Sequence, residues 1–291
     1  MNVDATTASR QPSSHALSIK RLGKRAVRTA GLALPRPAFH LLVRVARAVY
    51  GATSRIGYRL RLLTYRVTDR EAYETACAVW DVLPYTFVGI GGLEVTYHAA
   101  RRVNAERRPG AFVELGVARG GCAALLAKQA FADPDLRRSM WLFDSFEGLP
   151  DPTADDLDPA RGSGTGDHVT PLARGSCLGT IEDVQWLLFE RFKLPRERVT
   201  LVKGWFQDTL PVHAKRIGPI ALLRIDGDWY ESTKVCLDHL YDEVVVGGAV
   251  IVDDYESCFG CAKAVDEFLG RRQIVVDLHL DGRGGCYFVK P

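Results

Sequence analysis

The chain has 291 residues, of which 47% are hydrophobic and 25% are charged, as expected of one α/β domain with an extension. It contains no apolar run near the ~18 residues that a membrane-spanning helix requires. Its charge is uneven: residues 1–70 hold 14 Lys and Arg against two acids (+12), and residues 71–291 hold 24 against 33 (−9), a body without a nucleic-acid-binding footprint.

The basic arm, residues 1–67, precedes the part of the chain in which strands and helices alternate. Residues 1–16 are small and polar, which predicts disorder and no signal peptide. Residues 38–50 place apolar side chains on one helical face and Arg44 and Arg47 on another, which predicts a basic amphipathic helix. Such a helix either lies on an anionic membrane or packs on the body or on a second subunit. We therefore expect an N-terminal extension over residues 1–67 and one domain over residues 68–291.

From residue 68 onward, apolar strands alternate with helices. Strands are predicted over residues 111–115, 141–144, 198–202, 220–226 and 248–253, with a closing hairpin of 274–280 and 286–289. Helices are predicted over residues 120–132, 178–192 and 232–241, and a further helix follows the strand at 248–253 and ends at residue 269. A long loop rich in Gly, Pro and Asp follows the strand at 141–144 and ends near residue 176. Such strands indicate a doubly wound, mainly parallel sheet covered on both faces. The hairpin makes it seven-stranded with one antiparallel strand.

A glycine-bearing turn follows the first predicted strand, at the end where α/β sheets bind ligands. Gly116 and Gly120 let the backbone turn tightly and approach a ligand closely. The spacing does not fit the dinucleotide pattern GxGxxG. Glu114 would repel a pyrophosphate but suits the cationic amino group of a zwitterionic cofactor, directly or through water. The alternative is a plain strand–helix turn.

Two further positions match a cofactor that contains adenosine. Asp144 ends the second strand, 30 residues after Glu114, where an acid accepts hydrogen bonds from both hydroxyls of a ribose. A helix-capping role is the alternative. Trp205 and Phe206 follow the third strand, where they either flank an adenine ring or belong to the core. Nucleotides and S-adenosylmethionine share these features, so the pattern indicates adenosine without naming the cofactor.

Acidic residues end two consecutive buried strands. Asp226 ends one strand and Asp253 and Asp254 end the next, so neighbouring strands would bring three carboxylates together. Unpaired carboxylates repel one another, which a bound Mg²⁺ relieves because this cation takes oxygen ligands and leaves positions for a substrate hydroxyl. Asp228 is placed to act as the general base. The alternative is a set of solvated acids at strand ends.

The seven cysteines are odd in number and lie in hydrophobic contexts, which predicts reduced thiols in a cytoplasmic protein. Cys258 and Cys261 form a single CxxC without a second pair. That arrangement favours packing residues at the start of a helix over a redox or metal role.

Five ordered sequence blocks resemble one family. They cover residues 114–121, 144–150, 204–211, 224–233, and 253–255 together with 260–266. The set resembles the macrocin O-methyltransferase family, whose members methylate sugar hydroxyls on macrolide and aminocoumarin antibiotics, and the resemblance extends over about residues 85–290. It implies the class I methyltransferase fold, which the closing hairpin also favours over the dinucleotide-binding variant.

The resemblance also implies a cofactor, a metal and an assembly. It implies a Mg²⁺ site at Asp226, Asp253 and Asp254, with Asp228 as base. It implies contacts of S-adenosylmethionine with the turn that contains Gly120 and with Glu114, Gly116, Asp144, Ser145, Gly204, Trp205 and Phe206. Family members tend to be homo-oligomers in which N-terminal segments help to cover the active site.

Two features depart from the family pattern. Residues 151–176 form a long, glycine-rich loop that would alter the lid over the acceptor, and the basic arm is unexpected in an antibiotic-tailoring enzyme. We therefore consider a saccharide on a lipid or surface glycan, reached by docking the arm on a membrane.

Two other functions are less consistent with the residues. A nicotinamide-dependent oxidoreductase would need GxGxxG, and a non-catalytic adaptor would not retain all of the acids.

Overall fold

A computed structural model of the chain describes residues 56–160 and 168–291. The predicted disorder of residues 1–16 and the predicted helix over 38–50 lie outside the described residues. The chain divides into two compact units, residues 1–70 and 71–291, and the described part of the first is helical over residues 56–68. The domain boundary after residue 67 stays a prediction. No helix in the described ranges is long and apolar enough to cross a membrane.

From residue 70 onward, the described residues contain seven strands and seven α-helices. The strands are β1 (Ala111–Leu115), β2 (Met140–Asp144), β3 (Val199–Lys203), β4 (Ile220–Ile225), β5 (Val244–Val252), β6 (His279–Leu280) and β7 (Cys286–Val289). The helices are α1 (Arg70–Val82), α2 (Ile90–Ala105), α3 (Gly121–Ala130), α4 (Ile181–Gln185), α5 (Phe206–Ile217), α6 (Tyr230–Leu240) and α7 (Phe259–Arg271).

The strands form one sheet in the order β3-β2-β1-β4-β5-β7-β6. Strands β1 to β5 are parallel, and β7 is antiparallel to both of its neighbours, β5 and β6. This topology confirms the predicted doubly wound, seven-stranded α/β fold with one antiparallel strand. The chain reverses its direction of travel across the sheet between β1 and β4, which is where open α/β sheets bind ligands.

The central strands are buried because helices cover both faces of the sheet. Every residue of β1 and β4 is buried. On one face, Leu115 and Ile225 pack in a cluster with Leu237 of α6 and Phe268 of α7. Near-continuous apolar strands are typical of a parallel sheet in this position. Neighbouring strands end level with one another, since Leu115 pairs with Ile225 and Ile225 pairs with Val252.

Two predicted elements differ from the structure. The helix predicted over residues 178–192 begins later, because Thr180 caps it and Gly179 packs tightly against the carbonyl of Ala118, and it continues after α4 as a π-helix over Trp186–Arg191. The strand predicted over 274–280 is limited to β6. Its alternating apolar residues, Ile274, Val276 and Leu278, instead pack against the core. Their period of two thus reflects packing and not strand pairing.

A buried arginine joins the start of β2 to the connection between α2 and β1. Arg138 is 1% exposed. Its Nε donates to Asn104 Oδ1 at 2.6 Å, Nη1 to the carbonyl of Gly110 at 2.7 Å, and Nη2 to the carbonyl of Arg108 at 2.8 Å. These bonds satisfy carbonyl groups of a loop that the sheet does not pair. Arg138 therefore holds the loop that leads into the central strand.

We expect Arg138→Met to lower the free energy of unfolding by about 3 kcal/mol, since buried hydrogen bonds to a charged donor are lost and their acceptors stay buried. Urea denaturation measures the change. Arg216→Met is the matched control, because Arg216 is exposed and contacts only His213 Nδ1 at 3.5 Å among its recorded partners; it should change stability by less than about 0.5 kcal/mol. Equal losses in the two variants would contradict the role given to Arg138.

Candidate active site

A cavity of about 910 Å³ opens where the parallel strands end. Residues at the ends of four strands line it: Glu114, Asp144, Asp226 and Asp253. Its size is in the range of pockets that bind drug-sized ligands. Because the carboxyl ends of parallel strands lie level, residues that are far apart in the sequence meet at this edge.

The turn after β1 is pressed against the end of β4. Gly116 has φ +89°, and its N–H donates to the carbonyl of Phe143 at 2.9 Å. A Cβ at this position would lie 1.9 Å from the carbonyl oxygen of Asp226, so no other residue fits without displacement of the backbone. Gly116 lines the cavity, as predicted for a residue near a ligand. Gly120 does not line it; Gly120 has φ +83° and precedes α3 as its N-cap.

Asp144 holds the same turn from the end of β2. Its Oδ2 accepts hydrogen bonds from the backbone N–H groups of Val117 (2.7 Å) and Ala118 (2.8 Å), and its Oδ1 accepts one from Phe146 (2.6 Å). A carboxylate has about four acceptor positions, so one position of Asp144 is left for a ligand. The sequence predicted the position of this acid but not its bonds to the turn.

The other residues predicted to contact the cofactor lie close to Asp144. Ser145, Trp205 and Phe206 line the cavity. Gly204 does not, but its N–H donates to the carbonyl of Asp144 at 2.9 Å, which places the Trp205 turn beside the end of β2.

Three carboxylates converge at the ends of β4 and β5. The backbone N–H of Asp226 donates to the carbonyl of Leu115 at 2.8 Å, and that of Asp253 donates to the carbonyl of Ile225 at 2.9 Å. Each strand pairing is thereby extended by one residue. One oxygen from each of Asp226, Asp253 and Asp254 lies within 4.8 Å of the others. The predicted convergence is therefore present.

The donor set fits a divalent cation. Oδ2 of Asp254 is buried and has no hydrogen-bond partner among the described residues, although Oδ1 accepts from Ser257 Oγ at 3.2 Å. A buried carboxylate oxygen without a donor is costly, and a hard cation such as Mg²⁺ takes such an oxygen as a ligand. The geometry thus offers the cation one oxygen that is not otherwise used.

The expectation that these carboxylates are unpaired was wrong, because Arg224 lies among them. Its side chain is fully buried within β4. Nη1 lies 2.9 Å from Asp226 Oδ2 and 3.2 Å from Glu114 Oε1, and Nη2 lies 2.5 Å from Asp253 Oδ1. An arginine in the otherwise apolar strand IALLRI was the available signal, since a buried guanidinium requires acidic partners. Asp254 is the member of the cluster that Arg224 does not contact.

Burial dominates the acid–base properties of the site. It raises the pKa of Glu114 to about 7 and that of Asp253 to about 7, against the opposing effect of Arg224. Burial, together with Asp226 and Asp253, raises the pKa of Asp228 to about 8. For Asp254, burial and the nearby acids raise the pKa well above its ordinary value. Burial thus disfavours the charged forms of these three aspartates and of Glu114, and a further positive charge beside them would favour ionisation.

Asp228 lies in the turn between β4 and α6 with φ +54° and lines the cavity. One of its oxygens lies within 4.8 Å of a ligand atom of Asp254 and of Cys258 Sγ. Cys258 and Cys261 are buried at the start of α7, where the sequence places packing residues. The proximity of Cys258 to two acids was not predicted, because the turn before α6 brings Asp228 back toward α7.

Asp156 is a further cavity residue that the sequence did not indicate. It is 3% exposed, and its Oδ1 accepts from the backbone N–H of Tyr230 at 2.6 Å while Oδ2 accepts from that of Thr153 at 2.7 Å. Nearby, Lys263 Nζ lies 2.6 Å from Asp155 Oδ1. These contacts attach the first part of the long loop to α6 and α7. Residues 161–167 of that loop lie outside the described ranges.

Comparison with known proteins gives one consistent group. The model of the macrocin-O-methyltransferase (TylF) family matches residues 59–290. Demethyldecarbamoylnovobiocin O-methyltransferase of Streptomyces niveus is 38% identical over 223 residues, which are 76% of this chain and 81% of that protein. The 8-demethyl-8-(2,3-dimethoxy-alpha-L-rhamnosyl)-tetracenomycin-C 4'-O-methyltransferase of Streptomyces olivaceus is 35% identical over 206 residues, which are 70% of this chain and 76% of that protein.

Solved structures agree with the predicted fold. The O-methyltransferase NovP superposes with a TM-score of 0.61 at 36% identity, covering 71% of this chain and 82% of NovP. A calicheamicin methyltransferase superposes with a TM-score of 0.54 at 23% identity, covering 80% and 91%, a likeness that concerns the fold alone. The class I methyltransferase fold expected from the sequence is confirmed.

We expect Gly116→Ala to destabilise the protein more than Gly282→Ala, although both residues have positive φ. An alanine at positive φ costs about 1–3 kcal/mol in backbone strain, but a Cβ at Gly282 meets no atom within 4 Å. The clash with Asp226 should add about 1–3 kcal/mol at Gly116. Urea denaturation compares the two variants. Indistinguishable losses would mean that the turn adjusts without cost.

Proposed function

The chain belongs to the macrocin-O-methyltransferase family and is an O-methyltransferase, and we propose that it methylates a sugar hydroxyl held over the carboxylates at the ends of β4 and β5. The observation that carries this proposal is the convergence of Asp226, Asp253 and Asp254 in the cavity that also contains the turn after β1. One cavity would therefore hold both the methyl donor and the metal that the three acids would bind.

The first half of the proposal concerns the cofactor. S-adenosylmethionine supplies a methyl group already activated on a sulfonium, so positioning provides much of the rate. Glu114 would accept a hydrogen bond from its amino group, directly or through water, and the remaining acceptor position of Asp144 would take a ribose hydroxyl. Trp205 or Phe206 would flank the adenine ring. Gly116 keeps the backbone of the turn free of a side chain at the closest approach.

The second half concerns the metal and the acceptor. Asp226, Asp253 and Asp254 would hold Mg²⁺, which supplies Lewis-acid polarisation of the acceptor hydroxyl. Asp228 takes the proton from that hydroxyl as the general base. Its place in the turn after β4, within 4.8 Å of Asp254 in the cavity wall, supports this role.

The class of acceptor follows from the relatives. Their names describe methylation of a novobiocin precursor, of a rhamnosyl-tetracenomycin at its 4' position and of mycinamicin III at its 3'' position. We therefore propose a hydroxyl of a sugar on a natural product or glycan. A lipid-linked saccharide is the second candidate, because the basic arm offers a means of reaching a membrane.

We expect Asp228→Asn to reduce kcat at least about 100-fold, as loss of a general base typically does, while the affinities for S-adenosylhomocysteine and Mg²⁺ change little. Asp254→Asn should instead weaken Mg²⁺ binding, because its unpartnered oxygen is proposed as a ligand. Isothermal titration calorimetry measures both affinities, and transfer of a labelled methyl group to acceptors in a cell extract measures turnover.

Asp277→Asn is the control, since Asp277 is exposed on the segment before β6. It should alter neither binding nor turnover. Binding of NAD without binding of S-adenosylhomocysteine would contradict the whole assignment. Retained turnover in Asp228→Asn would remove only the base role.

We further propose that the basic arm docks on an anionic lipid surface. The helix over residues 56–68 exposes an apolar row at one-turn intervals: Ile56 (61%), Leu60 (60%), Leu63 (64%) and Val67 (83%). Residues 1–70 of the sequence carry +12. Apolar side chains on one face of a strongly basic segment are typical of helices that lie in the membrane interface. The charge favours anionic lipid over a second copy of the same basic arm.

Replacing Leu60 and Leu63 together by Asp should abolish flotation of the full chain with phosphatidylserine-containing vesicles. The wild type should float with these vesicles and not with pure phosphatidylcholine. Val275→Asp is the control, because Val275 is 88% exposed on the body of the protein; it should not affect flotation. If the wild type ignores both vesicles and the double variant changes the oligomeric state, the face is an interface between copies and the docking proposal is wrong.

A further inference from the structure

A single buried guanidinium connects the two halves of the proposed active site. Glu114 belongs to β1, Arg224 to β4, and Asp226 and Asp253 follow β4 and β5 directly. The Arg224 side chain is completely buried, as is that of Glu114, whereas Asp226 and Asp253 are partly exposed. The guanidinium therefore lies beneath the cavity floor, with one carboxylate toward the cofactor turn and two toward the metal site.

The two Nη groups of Arg224 are shared unequally among the three carboxylates. Arg224 Nη1 serves two acceptors, Asp226 Oδ2 at 2.9 Å and Glu114 Oε1 at 3.2 Å, while Nη2 serves Asp253 Oδ1 at 2.5 Å. Glu114 has the longest of the three contacts, and its Oε2 has no strong partner, since the adjacent Cys122 thiol is a weak donor. The carboxylate that the cofactor would use is thus the one held least firmly.

We propose that Arg224 is a positioning residue through which divalent-cation binding at Asp226 and Asp253 and cofactor binding at Glu114 strengthen each other. This inference rests on the proposed function, because it takes those residues as the metal and cofactor contacts. Arg224 itself reaches neither ligand directly. It transmits the effect of one through the carboxylates that it shares.

Glu114, Asp226 and Asp253 compete for the hydrogen-bond donors of Arg224. Without a cation, three carboxylates share one positive charge, and the two at the metal site have the shorter contacts. A cation beside Asp226 and Asp253 would weaken the hydrogen bonds of these carboxylates to the guanidinium. The Nη1 group of Arg224 could then bond more closely with Glu114. Glu114 is then fixed in one orientation before the cofactor arrives, which lowers the entropic cost of binding. Linkage requires that the cofactor strengthens cation binding by the same factor.

Lysine cannot replace arginine in this role. The planar guanidinium presents two Nη groups in fixed directions, whereas an ammonium is a point charge with one nitrogen. Arg224→Lys therefore keeps a positive charge beneath the cavity but loses the two fixed donor directions, so that one nitrogen must serve Glu114, Asp226 and Asp253. A purely structural role for Arg224 predicts weaker binding of both ligands in this variant, with their mutual dependence unchanged. Measuring how much Mg²⁺ changes the affinity for the cofactor therefore distinguishes a positioning role of Arg224 from a purely structural one.

The experiment measures the Kd of S-adenosylhomocysteine by calorimetry in EDTA and in saturating Mg²⁺, and the Kd of Mg²⁺ with and without S-adenosylhomocysteine. In the wild type we expect each ligand to tighten the other by about 5-fold or more, the lower range of allosteric coupling. In Arg224→Lys both ligands should still bind, with a coupling factor near one. Arg102→Lys is the control, because Arg102 pairs with Glu106 near the surface, and it should retain the wild-type factor.

The outcomes distinguish the two levels of the argument. Failure of the wild type to bind S-adenosylhomocysteine under any condition would overturn the proposed function. Binding of both ligands without coupling in the wild type, or undiminished coupling in Arg224→Lys, would overturn the role of Arg224 alone. If Arg224→Lys does not fold, Glu114→Gln replaces it: the shape is kept, and the affinity for S-adenosylhomocysteine should become independent of Mg²⁺. A persistent Mg²⁺ dependence there would contradict the inference.

Discussion

The pairing of β1, β4 and β5 with level carboxyl ends determines the arrangement of the whole site. Because Leu115 pairs with Ile225 and Ile225 with Val252, the next residues, Gly116, Asp226 and Asp253, must lie side by side. The contact of Gly116 with the Asp226 carbonyl and the shared guanidinium beneath both strands follow from the same register. A shift of one residue in either pairing would turn each acid toward the opposite face.

That arrangement has an energetic cost, which Arg224 only partly offsets. Three carboxylates, those of Glu114, Asp226 and Asp253, contact one guanidinium, and that of Asp254 lies beside them without such a contact. Burial raises the pKa of several of these acids. A buried ionic cluster contributes little net stability relative to apolar packing. Its presence in the fully buried centre of the sheet is therefore better explained by the proposed ligand binding than by folding.

The sequence predicted the sheet and the acids because both depend on local signals. Apolar runs mark the buried strands, and Asp226 and Asp253 follow such runs immediately. It did not predict the pairing of Arg224 with Glu114, 110 positions apart, or the bonds of Asp144 to the turn after β1, since these depend on which strands are neighbours. The pattern of residues 274–278 was misleading for a similar reason: a segment that packs on the core has the same period as a strand that pairs.

The loop of residues 151–176 is held differently from the acids at the strand ends. This difference allows the shape of the acceptor side of the cavity to change independently of the acids. The carboxylates are fixed by sheet hydrogen bonds, whereas the first part of the loop is attached through side chains, chiefly Asp156 to the start of α6 and Asp155 to Lys263. Changes in the loop can therefore reshape the acceptor side of the cavity without moving the acids. We therefore expect substitutions in the described part of this loop to alter the choice of acceptor more than they alter the chemistry proposed for the aspartates.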